Sequence, residues 1–396
     1  MGTKTIRASF LPLIDAAILI AAHQRGFAEE ENLHIDLARE TSWANVRDRM
    51  AIGHFDVAHM LAPMPLASNL GLTPIALEMV VPMAMGLGGN AVTVSNALYE
   101  AIGSPSGVAD PTSAGLALKQ HILEREARDE PRLSFGVVHT HSSHNFELRY
   151  WLSAVGIRPE RDVELVILPP PYMVDALKQG TLDGYCVGEP WNSLARSKGV
   201  GQMLTTKKAI WMSSPEKVLG VREGWADRHP HEMSALLRSL YSAAQWCGRA
   251  ENYEALADLL ALPDYLNLDG SLLHRALIGA AGFEPFANAA TFPWQSHALW
   301  LYSQMVRWGQ VEHAPAHADK ARRTYRPDLY RAALAKTDAI MPSASSKVEG
   351  ALQVPTPVGT AGGTLTLGPD GFFDGLIFDP DLVDQYITGQ RNSENT

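Results

Sequence analysis

Apolar and polar positions change period twice within the first forty residues. Thr5–Phe10 (TIRASF) reads as a strand, Asp15 stands where it would cap a helix that stops near Gly26, and His34–Ala38 (HIDLA) reads as a second strand. The same order returns about 130 residues later. Leu133–Val138 (LSFGVV) is strand-like, His144-Asn145 opens a helix ending near Gly156, and Val163–Leu168 (VELVIL) is a strand. The next unit matches as well, Met50-x-x-Gly53-x-x-Asp56 against Leu177-x-x-Gly180-x-x-Asp183. Gly26 and Gly156 lie 130 positions apart, and Gly53–Gly180 and Asp56–Asp183 both lie 127 apart. A strand–helix–strand unit alone is common, but two matching units at a nearly constant offset predict two similar α/β lobes. Each is expected to be a parallel sheet with crossover helices. Ligands bind at the carboxyl ends of such strands, so two facing lobes predict one cleft.

Past Pro215 the period becomes helical over Glu232–Ala250, Ser271–Gly282 and Trp294–Trp308. From Pro342 to Gly371 the chain turns to Pro, Gly, Ser and Thr, which predicts an arm wrapped over the surface. At 396 residues and 46% apolar composition there is enough material for two or three domain-sized units with large cores. The balance of 33 Lys+Arg against 43 Asp+Glu argues against a nucleic-acid footprint or an anionic membrane, though local donors can still hold a small anion. Two cysteines, Cys186 and Cys247, are too few for a disulfide scaffold or a thiolate metal cluster. No stretch approaches the roughly 20 apolar residues of a membrane span. Thr5–Phe10 already reads as a strand, and the short run Ala16–Ala22 behind Asp15 reads as a first helix rather than an export signal, so a cytoplasmic location is expected.

No nucleophile elbow, phosphate-binding loop, dinucleotide fingerprint or zinc-protease motif is present. His139, His141 and His144 (HTHSSH) lie close in sequence, but at a strand-to-loop crossing their side chains should diverge, and no metal site is expected. Ser42 is a good N-cap with Trp43 in the first helical turn, where free N–H groups and the helix dipole favour an anion. Trp43 is read either as core or as the wall of a pocket offering its indole N–H. Asn90 follows the run Gly86-Leu87-Gly88-Gly89 just before a strand at Ala91–Val94, where backbone can approach a ligand closely and the amide can donate.

Ser42-Trp43-Ala44-Asn45-Val46-Arg47-Asp48, followed by Ala58-His59-Met60-Leu61-Ala62-Pro63-Met64-Pro65, resembles the nitrate- and bicarbonate-binding solute receptors of ABC transporters. The resemblance continues through Gly88–Thr93, His144-Asn145 with Leu148–Leu152, Val187–Asn192, Pro215-Glu216-Lys217 and Gln304–Gly309, and so spans about residues 5 to 310. It implies an α/β type II periplasmic-binding-protein fold, with two Rossmann-like lobes around a ligand cleft. Residues 1–93 and 209–396 would form the first lobe and 94–208 the second. The family's oxyanion pocket then falls on Trp43, Asn90, His144 and Lys217, with backbone near Gly188. Trp43, Asn90 and Lys217 are expected on the first lobe, His144 and Gly188 on the second. Members commonly carry Gln where this chain has Asn90. The position of Lys217 resembles an acidic residue in the bicarbonate branch, where it helps bind calcium. A lysine there supplies positive charge and favours nitrate or nitrite without a metal. Arg149 and Trp191 read as scaffold.

The resemblance implies a binding protein that needs no cofactor and is not an enzyme. Among its branches the chain looks most like the cytoplasmic nitrate/nitrite sensor of nitrate assimilation (NasS type). That resemblance implies a partner, an RNA-binding antiterminator with an ANTAR domain (NasT type), which the ligand-free sensor holds and the anion releases. The alternative is an exported nitrate receptor with its leader removed. An enzyme related to the thiamine-pyrimidine synthases of the same fold would call for a cofactor lysine and a His- or Cys-rich active site.

Overall fold

The β-branched and small apolar runs of the chain assemble into two five-stranded sheets. A computed structural model describes residues 3–105, 108, 110–360 and 363–394. Strands β1 (Lys4–Phe10), β2 (Leu33–Arg39), β3 (Val57–Leu61) and β4 (Met79–Ala84) precede a second group. That group is β5 (Asn90–Ser95), β6 (Leu133–Val137), β7 (Val163–Ile167), β8 (Gly184–Gly188) and β9 (Gly201–Thr206), after which β10 (Lys217–Arg222) returns to the first sheet. The orders are β2-β1-β3-β10-β4 and β7-β6-β8-β5-β9, one topology used twice.

The two lobes agree in detail. Gly26, Gly53, Gly156 and Gly180 all have positive φ, the backbone reason for glycine at the repeated positions. Asp56 accepts from the backbone N–H of Arg7 on β1 (3.1 Å), and Asp183 from that of Ser134 on β6 (2.8 Å), each pair 49 residues apart. The repeated aspartates are therefore clasps on the first strand of each lobe.

The sheets are mixed, not parallel as expected. β1 runs parallel to β2 and β3, and β6 to β7 and β8, but β10 and β5 are antiparallel to both their neighbours. These are the two strands that arrive from the other lobe, so each enters its sheet from the opposite end. A boundary after residue 93 would cut β5, which pairs wholly with β8 and β9. Asn90 thus belongs to the second sheet, opposite Gly188, rather than to the first lobe.

The helix Pro230–Cys247 buries Leu236, Leu237, Leu240 and Ala243 against the helices Ala17–Gln24 and Pro327–Leu334 over the first sheet. The arm begins near the expected place and includes a short antiparallel pair, Thr356–Val358 with Leu365–Leu367. It then crosses the chain that links the lobes. Phe372 stacks on Trp211 with ring centres 4.6 Å apart, and the Phe373 N–H donates to Ile210 O (2.9 Å). Tyr150 donates to the Asp374 carboxylate (2.8 Å), tying the arm to the second lobe as well. Among the described residues no helix is long and apolar enough to cross a membrane.

Candidate functional site

Two helix N-termini face each other across the cleft, and the same device starts both. Ser42 caps the helix Trp43–Ala51 by accepting from Asn45 N–H (3.2 Å), and Ser142 caps the helix Ser143–Ala154 by accepting from Asn145 N–H (3.1 Å). The caps place Trp43 on one wall and Ser143 and His144 on the other. The first sheet contributes His59 from β3 and Lys217 from the first position of β10. The second contributes Asn90 and Gly188, paired at the mouth of β5 and β8. The lobes are closed on one another, with Ile14 N–H donating to Glu189 O across the cleft (2.9 Å). A Cβ on Gly188 would sit 3.1 Å from Asn90 Oδ1 and 3.3 Å from Leu13 Cδ2, so the absent side chain lets the second lobe approach the first.

Trp43, Asn90, His144, Gly188 and Lys217 are therefore brought together, and Trp43, Asn90, His144 and Lys217 are buried. At their centre lies a residue the sequence reading passed over, Glu216. Its Oε2 accepts from Asn90 Nδ2 (2.6 Å), Ser143 Oγ (2.5 Å) and Lys207 Nζ (2.5 Å). Its Oε1 meets His144 Nε2 (2.6 Å) and Lys217 Nζ (2.5 Å). Lys217 is thus not an uncompensated charge, as expected from sequence. Its ammonium also pairs with Asp15 Oδ2 (2.7 Å), while standing 5.5 Å from the centre of the Trp43 ring. Asp15 caps no helix. Its carboxylate is buried between Lys217 and His59, whose Nε2 lies 3.0 Å away.

Burial would raise the Glu216 carboxyl, but His144, Lys207 and Lys217 together hold it well below the usual carboxylate range. Burial likewise opposes the charge on Lys217 and on Asp15, and each nevertheless keeps it through the other. His144 and His59 are pushed down by burial and stay neutral near pH 7. Glu147, which pairs with Lys207 (2.6 Å), is pushed up to about 7 by burial. Several polar atoms in this cluster have no hydrogen-bond partner, among them Trp43 Nε1, Asn90 Oδ1 and His144 Nδ1. Such groups are costly to bury unpaired.

His139 and His141 do not converge with His144. His141 Nδ1 bonds to Gln310 Oε1 (3.0 Å), and burial pushes His139 down to about 4. No group of three or more His, Cys, Asp or Glu is arranged to hold a metal among the described residues. Arg149 reaches away from the cleft to Asn145 Oδ1 (2.8 Å) and Glu160. Of the residues missed, Asp15, His59, Lys207 and Glu216, the last two sit in the polar stretches Thr205–Lys208 and Ser213–Lys217 and carry no signal, whereas the first two do. Asp15 interrupts Leu11–Ile20, and His59 interrupts Val57–Leu61, both otherwise apolar runs.

Residues 2–261 match the NMT1-like family. The chain belongs to that family. It is 30% identical over 411 residues to the nitrate/nitrite binding protein NrtA of Synechococcus elongatus, covering 98% of this chain and 86% of that one. It is 36% identical over 339 residues to the nitrate import ATP-binding protein NrtC of Synechocystis, which covers 81% of this chain. The chain spans about half that relative's length, 48%. The crystal structure of the periplasmic nitrate-binding protein NrtA from Synechocystis superposes with a TM-score of 0.85 at 25% identity, covering 98% of both chains. The fold is accordingly the periplasmic-binding-protein fold. These relatives are named for nitrate binding and nitrate import, and the chain is a receptor-type protein rather than an enzyme.

Proposed function

We propose that the cleft binds nitrate or nitrite, held by Trp43, Asn90, His144 and Lys217 with backbone near Gly188. The observation that carries this reading is the convergence of buried donors from both lobes on one flat carboxylate, that of Glu216. A planar monoanion of three oxygens has the shape and charge such a donor set suits. Relatives named for nitrate support the reading from outside the geometry. The same relatives favour a receptor that delivers the anion to a transporter.

The sensor role rests on the sequence resemblance alone. In it the protein works in the cytoplasm, and the anion-free form holds the ANTAR-domain antiterminator. An anion gripped by both lobes shifts the balance to the closed form, and partner and anion then oppose each other reciprocally. Pull-down of the antiterminator across millimolar nitrate separates the roles, since release by nitrate supports the sensor and no capture at any concentration excludes it.

Calorimetry with nitrate, nitrite and bicarbonate, each with and without calcium, tests the binding reading. For a four-atom anion the best contacts give roughly −6 kcal/mol, a dissociation constant on the order of tens of micromolar. Nitrate binding in that range, or binding of three-atom nitrite at roughly −4.5 kcal/mol, unaffected by calcium, is expected. Binding of bicarbonate alone, and only with calcium, would overturn the proposal.

A further inference from the structure

Glu216 makes more contacts than a structural carboxylate needs. Five donors crowd two oxygens, and three of them, on Asn90, His144 and Lys217, are the groups assigned above to the external anion. One set of donors cannot hold both at once. The charges make the same point. The ammonium groups of Lys207 and Lys217 already face Asp15, Glu147 and Glu216 in a region closed to water. Among the described residues of this cluster a further anion has no free cation to meet, and an uncompensated buried charge is prohibitive.

We infer that the Glu216 carboxylate is a resident competitor for the anion site, so that a planar monoanion enters by displacing it while the cluster takes up one proton. The inference rests on the reading that this cleft binds such an anion. Once Asn90, His144 and Lys217 turn to the ligand, Glu216 keeps only Ser143 and a Lys207 ammonium that it shares with Glu147, so burial gains weight and favours the neutral form of one of the two carboxyls. Glu147 is the second acceptor for the proton, being already pushed up to about 7. The other titratable groups facing the pair do not compete for that proton between pH 6 and 8, His144 included, which lies 2.6 Å from Glu216 and is pushed down by burial, away from its charged form. Cys186 on β8 and Tyr325, bridged to Val81 at the edge of the first sheet, are held protonated by burial. Burial keeps His59 neutral, and Asp15 stays ionised against Lys217. Nitrate itself does not titrate in this range, so any proton taken up belongs to the protein.

The test is calorimetry of the full chain with sodium nitrate at pH 6, 7 and 8, in pairs of buffers that differ in ionisation enthalpy. Up to one proton should be taken up per nitrate, with affinity weakening by up to about tenfold for each pH unit of increase. Glu216→Gln should bind nitrate at least about tenfold more tightly at pH 8 and lose the proton uptake. Should that variant fail to fold, the proton count of the wild type decides alone. Nitrate binding with no proton uptake and no pH dependence would overturn the competitor and leave the binding reading standing, as would weaker binding by a folded Glu216→Gln. Absence of nitrate and nitrite binding by both proteins at every pH would overturn both.

Discussion

Two regions of this molecule bury carboxylates against lysine, and they do it differently. In the arm, Glu349 Oε1 accepts from Ser296 Oγ (2.6 Å) and Oε2 pairs with Lys347. Asp370 Oδ2 takes the same ammonium (2.5 Å) and Oδ1 accepts from Leu352 N–H (2.8 Å). Four oxygens thus have one short-range donor each, while His297 approaches Glu349 only to 3.4 Å and both its ring nitrogens lack a hydrogen-bond partner. In the cleft, five donors converge on the two oxygens of Glu216, while Asn90 Oδ1 and His144 Nδ1 have none. One donor to each carboxylate oxygen describes a staple, which here fixes the arm onto the helix Gln295–Arg307. A mismatch within one buried cluster describes donors set for a more exchangeable occupant. Burial and charge alone would not separate the two regions, since Glu349, Asp370 and Glu216 are equally inaccessible.

The largest effect that could break this contrast is at Lys217. Lys217→Glu places a third carboxylate against Asp15 and Glu216, and loss of a buried charged partner alone typically costs about 2–5 kcal/mol, with reversal costing more. Nitrate binding should vanish in calorimetry, while Lys217→Gln, checked for its fold by circular dichroism, should also bind poorly. Near-native affinity in either would place Lys217 in a staple like that of the arm.

The arm should respond in the opposite way. Glu349→Ala leaves Lys347 facing a single carboxylate and should cost about 3–5 kcal/mol of stability in denaturant unfolding. Nitrate affinity should stay within about twofold, since the two clusters share no partner. A smaller effect comes from pH. Burial would raise the Glu349 carboxyl, but Lys347 and His297 hold it at about 2, against an ordinary value of 4.5. A depressed carboxyl contributes stability that is present above its unfolded value and lost as pH falls through the folded one. The contribution should therefore decay from pH 4.5 to about 2, amounting to roughly 3 kcal/mol that Glu349→Gln would no longer show.

The lobes were legible because their signals are local: strand runs, glycines that need positive φ, and aspartates that clasp the first strand at Asp56 and Asp183. Strand direction was not, because β5 and β10 look like any apolar run and their antiparallel sense depends on where the chain comes from. Trp43, Asn90, His144, Gly188 and Lys217 were reached through the quoted motifs, and the structure draws them together. Their charge state was hidden, because the partners of Lys217 lie on separate elements. Asp15 is 202 residues away in sequence, and only the closing of the first sheet brings its carboxylate to the ammonium. Glu216 stood beside Lys217 in the motif, yet one letter of spacing cannot tell which side chain occupies the centre of a cleft.

The smallest expected effect sharpens the contrast at a single N–H. An unpartnered buried indole does not by itself mark a binding site, because Trp211 in the arm's aromatic stack has one too. What distinguishes Trp43 is its setting at the helix N-terminus, with the Lys217 ammonium 5.5 Å from its ring. Trp43→Phe keeps a flat aromatic wall and removes only the donor and part of the ring. A hydrogen bond to a charged partner contributes about 1.5–3 kcal/mol, and some of it is offset by no longer burying the donor unpaired in the free protein. Nitrate should then bind about tenfold more weakly, about 1.4 kcal/mol. Trp211→Phe, the matching change in the linking chain beneath the arm, should leave nitrate affinity unaltered while lowering the melting temperature. Equal nitrate affinity in wild type and Trp43→Phe would mean that the indole N–H does not reach the anion and that Trp43 serves as wall alone. A loss of affinity in Trp211→Phe as large as in Trp43→Phe would instead mean that the arm, through the linking chain it covers, sets the closed arrangement on which the cleft depends.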